Sequence, residues 1–186
     1  MIISRKDLAE YLSVEKKLYV YPSFKDRMLE YITNMPDIQL WRYMKLLRYA
    51  EYHYNNRKGN IYHSIMYLFV RRRKNIKGAK LGIEICENSC GKGLRICHYG
   101  NIVVNGYAHL GEYCVLHGAN CLGNTGLPDD TGAPFLGDHV DIGVGASIIG
   151  NIKVASDVRI GAGAVVVKSC DVRGALLLGV PAKNVK

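Results

Sequence analysis

Residues 136–166, LGDHVDIGVGASIIGNIKVASDVRIGAGAVV, carry an aliphatic residue at every sixth position: Leu136, Ile142, Ile148, Val154, Ile160 and Val166. Four positions after each member runs a second series, Val140, Ala146, Ile152, Val158, Ala164 and Cys170, all small or aliphatic. An α-helix repeats at 3.6 residues and a half-buried strand at two, so neither imposes a strict six. Repetition in sixes marks a parallel β-helix, whose short strands stack coil on coil. One aliphatic side chain per hexad points inward onto its equivalent in the next coil. The small residue lets the chain turn the corner, and backbone hydrogen bonds close the wall.

The pattern reaches upstream through Val104, Leu110, Leu116 and Leu122, with Ala108, Cys114 and Asn120 as the second series. Glycine often follows the first series, at Gly111, Gly123, Gly137, Gly143 and Gly161. The step from Leu122 to Leu136 is fourteen positions, two more than two hexads. Its segment NTGLPDDTGAPF (124–135) reads as a loop thrown out of the coil, with Asp129 and Asp130 as solvated carboxylates. Six positions back from Val104 stands His98, where every later member is aliphatic. Glu84 lies one coil earlier, and coils of eighteen residues put His117 beside Tyr99. A histidine with a carboxylate and a second histidine nearby is a plausible general-base constellation. The structural alternative is a neutral buried histidine satisfied by a backbone carbonyl.

Residues 1–78 follow a different grammar. Ser4 with Asp7 resembles a capping box ahead of Leu8, Tyr11 and Leu12. Pro36 is placed to open a helix with Leu40, Trp41, Met44, Leu47 and Ala50 on one face, ending near Asn55, Asn56 and Gly59. Another apolar segment ends in Arg71-Arg72-Arg73-Lys74, simplest read as a solvated helix end. The fold class expected is therefore mainly β with an α-helical N-terminal cap. Residues 1–78 form the cap, and residues 79–186 form a left-handed parallel β-helix of hexapeptide repeats with a loop protruding at about 124–135. Exposed end coils invite edge pairing, which the helices and the tail after Cys170 would block.

The 186 residues are enough for a core, and 48% of them are hydrophobic against 22% charged, an ordinary globular balance. The longest apolar stretch, Ile61 to Val70, is too short to span a bilayer. The N-terminus lacks the apolar core of a signal peptide, which points to the cytoplasm. The six cysteines form no CxxC pair and read as small buried thiols, with no metal expected. A net charge of +9 asks for an anionic partner. Nucleic acid is not expected, because no basic stripe interleaved with aromatics on a recognised module accompanies the charge. A phosphorylated cofactor, an anionic membrane surface or a lipid-linked glycan fits as well.

The second half resembles the left-handed β-helix acyltransferases, specifically the serine acetyltransferase-like branch. The family's GIDIHP…IGxG…DHxxGIVV is echoed by GIEICENSCGKGLRICHYGNIVVNG (82–106), and its LGGTG by LGNTG (122–126). IGVGASIIGNIKVA (142–155), IGAGAVV (160–166) and LGVPAKNV (178–185) match three further motifs. The resemblance covers roughly residues 81 to 186. It implies an acetyl-CoA-dependent O-acetyltransferase, usually trimeric, with active sites between neighbouring β-helices and no metal. It puts the catalytic histidine on His98, its carboxylate partner near Glu84, and backbone contacts to CoA at Gly123, Ala146 and Ala164. Lys183 and Lys186 are candidates for the CoA phosphates.

Two departures bear on the acceptor. Gly132 and Ala133 stand where serine acetyltransferases carry an Arg-His pair that helps hold the amino acid. The stretches HYGNIVVN and LHGANCLGN look more like relatives associated with capsule and exopolysaccharide synthesis, which place a histidine where His117 stands. The expectation is a sugar or polysaccharide hydroxyl, with free serine, as in cysteine biosynthesis, as the alternative. A non-catalytic β-helix protein is one rival. A carbonic-anhydrase-like metal site using His98, His109, His117 and His139 is another, but no matching motif surrounds these residues.

Overall fold

The structure is a computed structural model and describes residues 1–127 and 132–186. Asp129 and Asp130 lie outside the described residues. The chain divides into two compact units, Met1–Leu81 and Gly82–Lys186.

The first unit holds α1 (Arg5–Tyr19), α2 (Phe24–Thr33), α3 (Pro36–Asn55) and α4 (Ile61–Leu81). The capping box forms: Ser4 Oγ accepts from the Asp7 amide at 3.0 Å, and Asp7 Oδ2 accepts from the Ser4 amide at 2.8 Å. Pro36 opens α3, whose Leu40, Trp41, Met44, Leu47 and Ala50 are all buried. Helix α3 packs against both α1 and α4. Helix α4 does not stop at Arg71–Lys74. Val70, Lys74, Gly78 and Leu81 bury in turn at helical spacing, so one face continues to Leu81. Arg71 and Arg72 are exposed while Lys74 is buried, because a helix fans consecutive residues around its axis.

The second unit is a left-handed parallel β-helix with three faces. The first face stacks β1 (Ile83–Ile85), β3 (Ile102–Val104), β6 (Cys121–Gly123), β9 (Ser147–Ile149) and β12 (Val165–Val166). The second stacks β4 (His109–Leu110), β7 (Phe135–Leu136) and β10 (Lys153–Val154). The third stacks β2 (Arg95–Ile96), β5 (Val115–Leu116), β8 (Asp141–Ile142), β11 (Arg159–Ile160) and β13 (Leu176–Gly179), closed by antiparallel β14 (Ala182–Asn184). Both sequence series form the core: from Val104 to Val166 and from Ala108 to Cys170, every member is buried.

Coil spacing explains the remaining irregularities. Leu136 pairs with Val154, and Ile142 with Ile160, eighteen positions apart. Across the long loop Leu110 pairs with Leu136, and Leu116 with Ile142, at twenty-six. The segment between Leu122 and Leu136 is therefore one hexad enlarged by eight residues, not two hexads enlarged by two. Glycine follows the ladder residues at positions 111, 137 and 143 because the coils lie close there. A Cβ on Gly143 would stand 2.6 Å from the Ala162 nitrogen, and one on Gly111 2.6 Å from the Gly137 carbonyl carbon. All six cysteines are free, and burial pushes the Cys114 thiol up to about 11. Among the described residues, no helix is long and apolar enough to cross a membrane.

Candidate active site

His98 does not occupy the aliphatic ladder. The rung on the third face is Ile96, fully buried and paired with Leu116. Eight positions separate Ile96 from Val104, two beyond a hexad, and the extra pair pushes the chain outward. His98 and Tyr99 are exposed on that corner. Glycines clamp the corner from both sides. A Cβ on Gly118 (φ +122°) would approach the His98 Cβ to 3.3 Å, and one on Gly82 (φ +64°) would reach the Asn101 nitrogen at 2.9 Å. Ala119 N donates to Gly100 O and Ile102 N to Gly82 O, so the backbone carrying the exposed imidazole is tied to the coils on either side.

The same insertion moves the expected neighbour of His117. Cys97 N donates to Leu116 O at 2.8 Å, which sets His117 beside Cys97 and Gly118 against His98. His117 is not level with Tyr99, as eighteen-residue counting required. Its Nε2 donates to Asp141 Oδ1 at 2.8 Å. In that tautomer Nδ1 keeps its lone pair, the arrangement of a base oriented by a carboxylate. The two side chains are 41% and 44% exposed, so solvent can reach them.

Asn120 builds the corner below. It is fully buried, accepts from the Gly118 amide at 2.9 Å and donates to the Gly143 carbonyl at 2.8 Å. A buried amide saturated on both sides holds a turn in one conformation. Neither Asp141 nor Asn120 stood out in the sequence as part of a site. Asp141 carried a usable signal, since it precedes ladder residue Ile142 just as His117 follows ladder residue Leu116. The two are diagonal neighbours on one face once the coil is counted as twenty-six residues.

Glu84 is exposed in the middle of β1, in register with Val103. Among the described residues no hydrogen bond joins it to His98 or His117. Gly123 is half-buried at the end of β6. Ala146 and Ala164 point inward and are buried. Their amides donate to Gly143 O and Gly161 O, and their carbonyls accept from Cys121 and Ser147. The exposed surface of those two turns is presented by Val144–Gly145 and Ala162–Gly163. Lys183 is exposed on β14, and Lys186 Nζ donates to Gly174 O at 3.2 Å. Of the other histidines of the β-helix, His109 stacks on Phe135 and His139 on Tyr113. Among the described residues, no group of three or more His, Cys, Asp or Glu is arranged to hold a metal.

A serine acetyltransferase of Helicobacter pylori is 33% identical over 120 residues, spanning 64% of this chain and 70% of that protein. The chain belongs to the serine acetyltransferase family. A second member, from Synechococcus elongatus, is 38% identical over 88 residues, 47% of this chain and 36% of its own. A Staphylococcus aureus member is 33% identical over 127 residues, and the chain spans 59% of its length. This chain thus covers about a third to three fifths of those two relatives. The solved structure of Neisseria gonorrhoeae serine acetyltransferase in complex with serine superposes with a TM-score of 0.69 at 26% identity, covering 98% of this chain and 71% of that one. Soybean serine acetyltransferase apoenzyme shares the fold at a TM-score of 0.74 and 23% identity, covering 96% and 69%. No protein-family model matches the chain.

Proposed function

We propose that the chain transfers an acetyl group from acetyl-CoA to the hydroxyl of serine, with His98 as general base. The observation that carries this reading is the likeness to serine acetyltransferases, over 70% of the Helicobacter pylori protein. The exposed imidazole on its glycine-clamped corner supports it. His98 takes the hydroxyl proton as the oxygen attacks the thioester carbonyl. The tetrahedral intermediate then collapses, the C–S bond breaks, and the imidazolium returns the proton to the CoA thiolate. Glu84 offers charge to the imidazolium, and His117, fixed by Asp141, positions the acceptor. The pantetheine arm runs along Gly123 and the turns at Ala146 and Ala164, toward phosphates met by Lys183 and Lys186. The working assembly is a homotrimer, with each site completed by a neighbouring β-helix.

A sugar hydroxyl is the second reading, and one observation favours it. Gly132 supplies no side chain to clamp an amino-acid carboxylate, and a Cβ there would fall 2.3 Å from the Asn151 Cβ. Release of the CoA thiol, followed with a thiol dye against serine and a panel of sugars, separates the two. Serine turnover upholds the first reading, and turnover with sugars alone replaces it. His98→Ala is expected to lower turnover by roughly 10²–10⁴-fold without loss of trimer or CoA binding. An unchanged rate removes His98 as base. Asp141→Asn should cost about 10–100-fold, the worth of a hydrogen bond to a charged group. Rates within twofold of wild type would make His117–Asp141 a structural pair.

A further inference from the structure

Within the helical unit, a cavity of about 640 Å³ opens between α3 and α4. Five cations line it, Arg42, Lys45, Arg73, Lys77 and Lys80, and no carboxylate does. Among the described residues none of the five forms an ion pair. Arg42 donates to the Asn34 side chain and lies over the Tyr31 ring. Lys45 lies over Trp41, and Arg73 over Phe69. Lys77 donates to the Gln39 carbonyl oxygen, while the Gln39 amide nitrogen is buried without an acceptor. Helix α4 contains no acidic residue over its whole length.

Gathering like charges around a concave surface is unfavourable unless something anionic compensates them. The strain is visible at Lys77, whose ammonium is held below its ordinary value by burial first, then by Arg42 and Lys80. Leu46 and Ile76 supply apolar surface, with Tyr49 beside them. The volume sits within the range of small-molecule sites. Two guanidinium forks and three ammonium groups match adjacent phosphates better than a single carboxylate, because forks bind phosphate oxygens in pairs and ammonium groups act as point charges.

We propose that the cavity between α3 and α4 binds a diphosphate group carried on an apolar or aromatic moiety. The ligand is either a soluble nucleoside diphosphate or a membrane lipid bearing the same phosphate chemistry. The site is lined by residues of the helical unit alone and needs no acetyl transfer to operate.

The test is calorimetric titration of the full chain with inorganic pyrophosphate and with ADP in the absence of acetyl-CoA, the cavity variants separating this site from the donor site. Sedimentation with phosphatidylcholine vesicles, with and without diacylglycerol pyrophosphate, gives the membrane arm. The expected result is saturable pyrophosphate binding, tighter for ADP, weakened about 10–100-fold in Arg73→Gln/Lys77→Gln. Lys45→Gln/Lys80→Gln should weaken it as well, and unchanged helical circular dichroism shows that both variants fold. ADP binding without sedimentation names a soluble ligand. Sedimentation that is lost in both variants, without ADP binding, names a lipid. Equal pyrophosphate affinity in wild type and both variants overturns the proposal. So does no binding by any probe at millimolar concentration.

Discussion

The two units specify themselves by opposite means. The β-helix repeats one instruction: each hexad sets an aliphatic rung and a small corner, and each coil answers only to its neighbours. The helical unit repeats nothing and depends on particular encounters. Its central one is Arg48, fully buried, with Nη2 2.6 Å from Glu15 Oε1 and Nη1 2.9 Å from Glu51 Oε2. Burial by itself pulls the guanidinium down, but the charges of Glu51 and Glu15 and their hydrogen bonds hold it above its ordinary value. A repeat spreads specificity over many interchangeable rungs, whereas an ion triad concentrates it in three residues from two helices.

Removing the middle of the triad should give the larger effect. Arg48→Met leaves two buried carboxylates facing each other, and breaking a buried pair costs about 3–5 kcal/mol. Urea unfolding followed by helical circular dichroism measures it. The triple change Glu15→Leu/Arg48→Met/Glu51→Leu should recover most of that loss, because paired burial is close to break-even against a packed apolar cluster. A triple variant no better than the single one would show that the ions also fix the register of α1 on α3. In the β-helix, Gly143→Ala forces a methyl group to within 2.6 Å of the Ala162 nitrogen. Overpacking of that kind costs about 1–3 kcal/mol. Hydrogen exchange should show the loss confined to the neighbouring coils. A loss spread evenly along all three faces would break the contrast drawn between the units.

Legibility in the sequence follows the same division. Hexads announced the β-helix because burial there depends on position in a short period, and every rung from Val104 to Val166 obeyed it. Register failed wherever residues had been inserted. Counting by sixes put His98 on a rung, whereas Ile96 holds that place and His98 stands outside. Counting by eighteens concealed Asp141 from His117, since the coil between them is eight residues longer. The motif resemblance singled out His98 without needing its register. Glu15, Arg48 and Glu51 could not have been found by any period, because Glu15 and Arg48 meet across thirty-three residues of irregular sequence. The preference for a sugar acceptor rested on the missing Arg-His pair and on the capsule-like stretches around His98 and His117, whereas the similar proteins found are serine acetyltransferases.

The smallest effect belongs to the start of α1, where sequence and structure agree atom for atom. Ser4→Ala removes the acceptor for the Asp7 amide and should cost about 1 kcal/mol, the usual loss for an N-cap hydroxyl. Asp7 makes the cap dependent on pH. The amides of Ser4 and Ile3, then the Ser4 hydroxyl, hold its carboxyl below the ordinary aspartate range. A carboxyl with a lower pKa in the folded state stabilises fully above its unfolded pKa and loses that contribution as the pH falls through the folded one. The stability gap between wild type and Asp7→Ala should therefore be constant near neutrality and close only in acid, below the ordinary range. A gap that closes between pH 5 and 7 would mean that a histidine elsewhere governs this helix end.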